Sequence, residues 1–127
     1  MSFIEIIYVT NDAVHQSMAE EFALEFGAMI TRLRPEKAPP VGTWFDAVLY
    51  DLDAMALHCR PSHLAKVISG RSKCPTAVHG YYVSGRMVSL LRRHRIAASR
   101  RLSPELFRWL CQSVRDHLDA RTSSVIE

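Results

Sequence analysis

The sequence predicts one α/β domain in which helices cover both faces of a five-stranded parallel sheet. Short apolar runs rich in Val and Ile alternate along the chain with longer segments of helical periodicity. This alternation is typical of a parallel sheet with helices on both faces. The chain has 127 residues, 48% of them hydrophobic and 23% charged, which is the size and composition of one globular domain.

The first strand is predicted over residues 4–9, an apolar and β-branched run that suits a strand buried on both faces. Thr10, Asn11 and Asp12 follow it and are good N-cap residues, so we expect a helix from there to about Phe26. The apolar stripe of this helix repeats every four positions: Val14, Met18, Phe22 and Phe26. Gly27 suits a left-handed C-cap, and a second strand is expected over residues 28–33.

Residues 34–42 contain three prolines and a glycine, which argue against a regular helix. We expect a loop there, so that the second helix of the fold is short or missing. The third strand is predicted over residues 45–51 and ends in Asp51. A helix can open at Pro61, and a short fourth strand follows over residues 75–79.

A further helix is predicted over residues 83–94 and a weak fifth strand over residues 96–99. The last helix has the clearest start, because Ser103 can cap it and Pro104 suits its first turn. Its apolar stripe is Leu106, Leu110, Val114 and Leu118. We expect the domain to span residues 1–121 and residues 122–127 to form a frayed tail.

Candidate site residues follow the strands, because sites in open parallel sheets form at the carboxyl ends of the strands. These positions hold Thr10, Asn11, Asp12, Asp51, Asp53, His79, Gly80 and residues 99–101. For His79 we expect a packed histidine that bonds a backbone carbonyl. His58, Cys59 and His63 are close in sequence, but a zinc site usually needs four ligands and no second pair is near. We therefore predict no metal site.

Two segments resemble the receiver domain of bacterial response regulators. Residues 45–51 (FDAVLYD) are similar to the family's third strand, a DLVLLD-type run that ends in the phosphorylated aspartate, and residues 103–106 (SPEL) are similar to the SPEEL start of its final helix. With the spacing of the strands, the resemblance covers nearly the whole chain. It implies a flavodoxin-like, doubly wound sheet of order 2-1-3-4-5 and places Asp51 at the phosphoacceptor position.

The acidic pocket that the resemblance implies is altered in this chain. In a receiver, two acids after the first strand hold Mg²⁺, which prefers oxygen ligands. Thr10 and Asn11 stand at those positions, with Asp12 one residue later and Asp53 two residues beyond Asp51. Neutral oxygens bring no charge to a strongly hydrated ion, so we expect no cofactor, with Mg²⁺ only if Asp51 is phosphorylated.

Two further positions of the family's phosphorylation site are changed. Receivers carry a Thr or Ser after the fourth strand as the switch, and a lysine after the fifth strand that neutralises charge on the phosphoryl group. Gly80 and Arg100 stand at these positions, although Thr76 and Ser84 lie nearby in sequence. Arg100 could pair with Asp51 and lock it.

The resemblance and these departures together predict a stand-alone, receiver-like signalling module that is not an enzyme and has weak or absent aspartyl phosphorylation. We expect it to bind another signalling protein (a histidine kinase, a regulator or a scaffold) or a second copy of itself. The predicted binding surface contains aromatic and basic residues: Tyr81, Tyr82, Arg92, Arg93, Arg95 and Trp109.

Two other functions stay open at this point. The first is a conventional single-domain response regulator that is phosphorylated on Asp51 in a two-component phosphorelay. The second is a small basic nucleic-acid-binding protein that uses the cluster at residues 92–101. The net charge of +3 is too small to indicate nucleic-acid binding, and no binding motif accompanies the cluster, so this second function has the weaker support.

The sequence also predicts a cytoplasmic protein that does not enter a membrane. No apolar run approaches the roughly 20 residues of a membrane-spanning helix, and the N-terminus lacks the basic start of a secretory signal. The three cysteines are odd in number and widely spaced, which favours reduced thiols.

Overall fold

The computed structural model describes residues 3–34, 45–54 and 74–126, the last helix with its side chains as far as His117. Five strands and three helices occur in these ranges. In chain order they are β1 (Ile4–Val9), α1 (Ala13–Glu25), β2 (Ala28–Leu33), β3 (Ala47–Asp51), β4 (Thr76–His79), α2 (Gly85–Arg93), β5 (Ile96–Ser99) and α3 (Pro104–Ile126). The short or missing second helix and the helix predicted from Pro61 lie outside the described residues.

All five strands are parallel and form one sheet with the order β2-β1-β3-β4-β5. This confirms the predicted flavodoxin-like order. Tyr8 of β1 lies opposite Leu49 of β3, and Asp51 at the end of β3 lies opposite His79 at the end of β4. Because the strands are parallel, the residues after β1, β3 and β4 meet at the same end of the sheet.

Helices cover both faces of the sheet, as predicted. The first face is buried under α1 and α3, whose Ala19 and Phe107 join Tyr8 and Leu49 of the strands in one core cluster. The second face packs against α2 in a smaller cluster: Leu52, Val78, Val83, Leu91 and Ile96. Burial of these apolar side chains is the main source of stability for such a layered domain.

The two ends of α1 are set by the residues that the sequence indicated. The carboxylate of Asp12 accepts hydrogen bonds from the backbone N–H groups of Val14 and His15, and Gly27 beyond the C-cap has a φ of +74°. The predicted apolar stripe is wrong at Val14, which is 67% exposed. The other stripe residues, Met18, Phe22 and Phe26, pack against the core beside the buried Ala19 and Ala23. Each step of four residues drifts by about 40° on a helix of 3.6 residues per turn, so Val14, three steps before Phe26, is turned away from that face by about 120°.

The last helix begins at Pro104, as predicted, and buries Leu106, Leu110 and Val114. It continues to Ile126, into the segment over residues 122–127 that was predicted as a C-terminal tail. The segment after residue 120 contains neither Pro nor Gly, the residues that usually end a helix. Within the described ranges, none of the helices combines the length and apolar character needed to cross a membrane.

Candidate functional site

Asp51 lies at the carboxyl end of β3 and is buried, with 1% of its surface exposed. Both of its carboxylate oxygens accept hydrogen bonds from the protein. Oδ2 accepts from the Thr10 hydroxyl at 2.8 Å, and Oδ1 accepts from the backbone N–H groups of Asp53 at 3.1 Å and Ala54 at 3.3 Å. These donors take the place of the water molecules that the carboxylate loses when it is buried.

His15, on the first turn of α1, lies beside the Asp51 carboxylate. We call the surroundings of this carboxylate the pocket. Nδ1 of His15 lies 3.1 Å from Oδ2 of Asp51 and donates to that oxygen in the tautomer that carries a proton on Nδ1. The imidazole is 31% exposed, so it stands between the buried carboxylate and solvent. Asp12 holds this end of α1 in place as its N-cap, and the hydrogen bond from the His15 backbone N–H lowers the pKa of the Asp12 carboxyl.

A buried pair, Tyr8 and His79, forms the floor of the pocket. The Tyr8 hydroxyl and Nε2 of His79 are hydrogen-bonded, and the rings of His15 and His79 meet edge to face with centroids 5.3 Å apart. Burial lowers the pKa of His79 to about 4 despite the nearby negative charge of Asp51. Burial, with that same charge, raises the pKa of Tyr8 well above its usual range. Both side chains are therefore neutral at pH 7.

His79 is packed as expected, but its described partner is a side-chain hydroxyl and not a backbone carbonyl. Tyr8 and His79 project from the same face of the sheet, where the side chains of alternate residues share one side. Strand β3 lies between β1 and β4 in the sheet, and the Tyr8 side chain reaches across it to His79. This contact joins residues 71 positions apart in sequence.

Of the four predicted acid-pocket residues, the two acids, Asp12 and Asp53, accept hydrogen bonds from backbone N–H groups. Asp12 is used as the α1 cap, and both oxygens of Asp53 accept from the Tyr81 backbone N–H, at 3.1 and 3.0 Å. Thr10 turns its hydroxyl to Asp51, and Asn11 is exposed. The structure thus brings Thr10 to Asp51, whereas the cluster of possible metal ligands around Asp51 in the described part of the chain does not include Asp12 or Asp53.

Gly80 and Arg100, at the predicted switch and lysine positions, contact groups other than Asp51. Gly80 is buried and its N–H donates to the Ser99 carbonyl. Arg100 does not lock Asp51: its Nε donates to the Tyr81 carbonyl at 3.4 Å, and its guanidinium lies 5.8 Å from the Tyr81 ring centroid. Among the described residues, no Lys or Arg contacts Asp51.

The two hydroxyls near the switch position have other roles. The Thr76 hydroxyl lies at the start of β4 and donates to the Cys74 carbonyl. Ser84 caps α2, where its side chain accepts from the Met87 N–H. Neither hydroxyl therefore replaces the one that Gly80 lacks.

The predicted binding surface divides into two parts. Tyr81 and Tyr82 follow β4, are 66% and 57% exposed, and stack edge to face at 5.2 Å, with Arg100 beside them. The chain then returns along α2, so the exposed Arg92, Arg93 and Arg95 lie toward the amino end of β5. There Trp109, which is partly buried, lines a groove of about 850 Å³ with Arg92 and Arg95.

Sequence reasoning missed the histidine at the mouth of the pocket. His15 lies three residues after the N-cap of the helix that follows β1, and a side chain on the first turn of such a helix can reach the carboxyl ends of neighbouring strands. Together with His79 and Asp51, it brings three potential ligand atoms within 4.8 Å of one another. The prediction of no metal considered only His58, Cys59 and His63, which lie outside the described residues.

Two solved structures are similar to this chain over most of its length. The first is a two-component response regulator from Clostridium difficile, with a TM-score of 0.60, 13% sequence identity and coverage of 91% of this chain and 98% of that chain. The second is a fusion that carries the trimeric coiled coil of yeast Spc42, with a TM-score of 0.65, 14% identity and coverage of 97% of this chain and 87% of that chain. At these identities the comparisons show the fold, which is receiver-like.

No protein-family model and no curated protein sequence matches the chain.

Proposed function

We propose that this chain is a receiver-like signalling module that acts by binding another protein and does not use Asp51 as an efficient phosphoacceptor. This proposal rests on the contacts of Asp51. Its two carboxylate oxygens are bound by Thr10, His15 and two backbone N–H groups. A carboxylate that attacks a phosphoryl group needs a free oxygen within reach of the reagent. In this chain, the side chain that could open the pocket is His15.

The charge around Asp51 supports the same proposal. Phosphoryl transfer is catalysed by positive charge placed around the transferring oxygens. The carboxylates of Asp12 and Asp53 are bound to backbone N–H groups, and Arg100 contacts Tyr81. Arg100 would have to leave Tyr81 before it could bind a phosphoryl group, and the backbone N–H groups that Asp12 and Asp53 hold restrict the movement of their carboxylates toward Mg²⁺.

The surface next to the closed pocket suits protein binding. Tyr81, Tyr82 and Arg100 form an exposed cluster at the carboxyl end of the sheet. We call these three residues the tyrosine cluster. Tyr and Arg side chains dominate the binding energy of many protein interfaces. Asp53 fixes the backbone of Tyr81, so this cluster is tied to the strand that carries Asp51.

Proximity labelling in cells that express the chain tests both halves of the proposal. The wild type is compared with Asp51→Asn, with Tyr81→Ala/Tyr82→Ala, and with the control Val14→Ala/Leu24→Ala, which removes equally exposed apolar side chains from α1. We expect the wild type, Asp51→Asn and the control to label the same proteins, and the tyrosine variant to lose them. Loss with Asp51→Asn together with retention by the tyrosine variant contradicts the proposal.

A further inference from the structure

We propose that His15, Asp51 and His79 form a binding site for a divalent transition-metal ion, and specifically for Zn²⁺. One ligand atom from each of the three residues lies within 4.8 Å of the other two. The residues come from α1, β3 and β4, so the site is assembled by the fold. Zinc binding goes beyond the proposed signalling role and does not depend on it.

One distance between ligand atoms already fits zinc, and the other two are no longer than 4.8 Å. With Zn–N and Zn–O bonds of about 2.0–2.2 Å, a tetrahedral site places its ligand atoms roughly 3–3.5 Å apart. His15 Nδ1 and Asp51 Oδ2 are already separated by 3.1 Å. The partly exposed His15 side chain can move to complete the site, and it also provides the route by which an ion reaches the buried carboxylate.

These three ligands favour the binding of a transition metal over the binding of Mg²⁺. Two imidazoles and one carboxylate suit zinc and its neighbours in the periodic table, whereas Mg²⁺ requires near-octahedral oxygen coordination and keeps several waters. With three protein ligands, a fourth position stays available for water. If Nδ1 of His15 binds the metal, the single proton of the neutral imidazole is carried on Nε2, which leaves the Nδ1 lone pair free for the ion.

The charge and the surroundings of the three residues fit a cation. Asp51 is a buried carboxylate that contacts no Lys or Arg among the described residues, so a dication would balance its charge. Tyr8 bonds the His79 ring and Thr10 bonds Asp51. Such outer contacts orient the ligands of known metal sites and contribute to their affinity.

Titration calorimetry of the full chain, first freed of metal with a chelator, tests the proposal with ZnCl₂ as the probe. We expect one Zn²⁺ per chain and no binding heat with MgCl₂. His15→Ala and His79→Gln should each weaken zinc binding by roughly tenfold or more. His15→Ala changes a side chain on the solvent side of the pocket, so it keeps the proposal testable if His79→Gln does not fold.

A control variant, His58→Ala/His63→Ala, removes the other histidine pair that the sequence places close together and should bind zinc as the wild type does. The wild type loaded with Co²⁺ should show the visible absorption of a tetrahedral site. Absence of one-to-one zinc binding overturns the proposal. It is also overturned if His58→Ala/His63→Ala abolishes binding while His15→Ala leaves it unchanged.

Discussion

Asp51→Ala is expected to lower the free energy of unfolding by about 2–4 kcal/mol, because it leaves several buried donors without an acceptor. The Thr10 hydroxyl and the N–H groups of Asp53 and Ala54 all donate to this carboxylate. Asp51→Asn should cost only about 1 kcal/mol. Its amide oxygen can still accept from the two backbone groups, and its NH₂ can donate to the Thr10 hydroxyl.

Urea unfolding of the wild type and the two Asp51 variants measures this difference. Asp116→Ala is the matched control, because Asp116 is an exposed acid on α3 whose described hydrogen bond is to Gln112, one turn earlier. It should change stability by less than about 0.5 kcal/mol. If Asp51→Ala is as stable as the wild type or more stable, Asp51 does not stabilise the fold and is instead a strained functional group.

The second large effect is a loss of stability at acid pH that depends on His79. Burial lowers the pKa of His79 to about 4 in the folded state, whereas an unfolded histidine titrates near about 6.5. Between these two values the unfolded state binds the proton and the folded state does not. The free energy of unfolding therefore falls as the pH falls through this window, by about 1 kcal/mol per pH unit from this group.

Unfolding curves at a series of pH values between about 7 and 4, with a chelator present, give the slope. His79→Gln removes the titrating group, so its stability should depend less steeply on pH over the same range, whatever its absolute stability. Equal slopes for the wild type and His79→Gln would show that His79 does not stay neutral in the folded protein. The chelator matters because zinc would compete with the proton for the same imidazole.

The fold could be predicted from the sequence because its determinants are local. The apolar run of β1, the cap residue Asp12 and the left-handed Gly27 each act within a few residues of their own position. The end of α3 could not be located, because a segment without Pro or Gly carries no stop signal. Similarly, the four-residue repeat misplaced Val14 because it ignored the drift of the helix.

The candidate site was predicted in position but not in its contacts. The strand ends placed Thr10, Asp51 and His79 at one end of the sheet, which the structure confirms. The partners of these side chains depend on packing between distant elements, as in the pairing of Tyr8 with His79. The orientation of Arg100 illustrates the same point, because Tyr81 supplies both a carbonyl and a ring face for its guanidinium.

We propose that Asp51 is held by its own protein and does not accept a phosphoryl group efficiently. Incubation of the chain with Mg²⁺ and acetyl phosphate, followed by measurement of the intact mass, shows whether Asp51 is phosphorylated. We expect the mass of the wild type to stay unchanged, as it should for Asp51→Asn. A stoichiometric increase by one phosphoryl group that requires Mg²⁺ and is absent in Asp51→Asn would show that Asp51 is a working phosphoacceptor, as in a conventional response regulator.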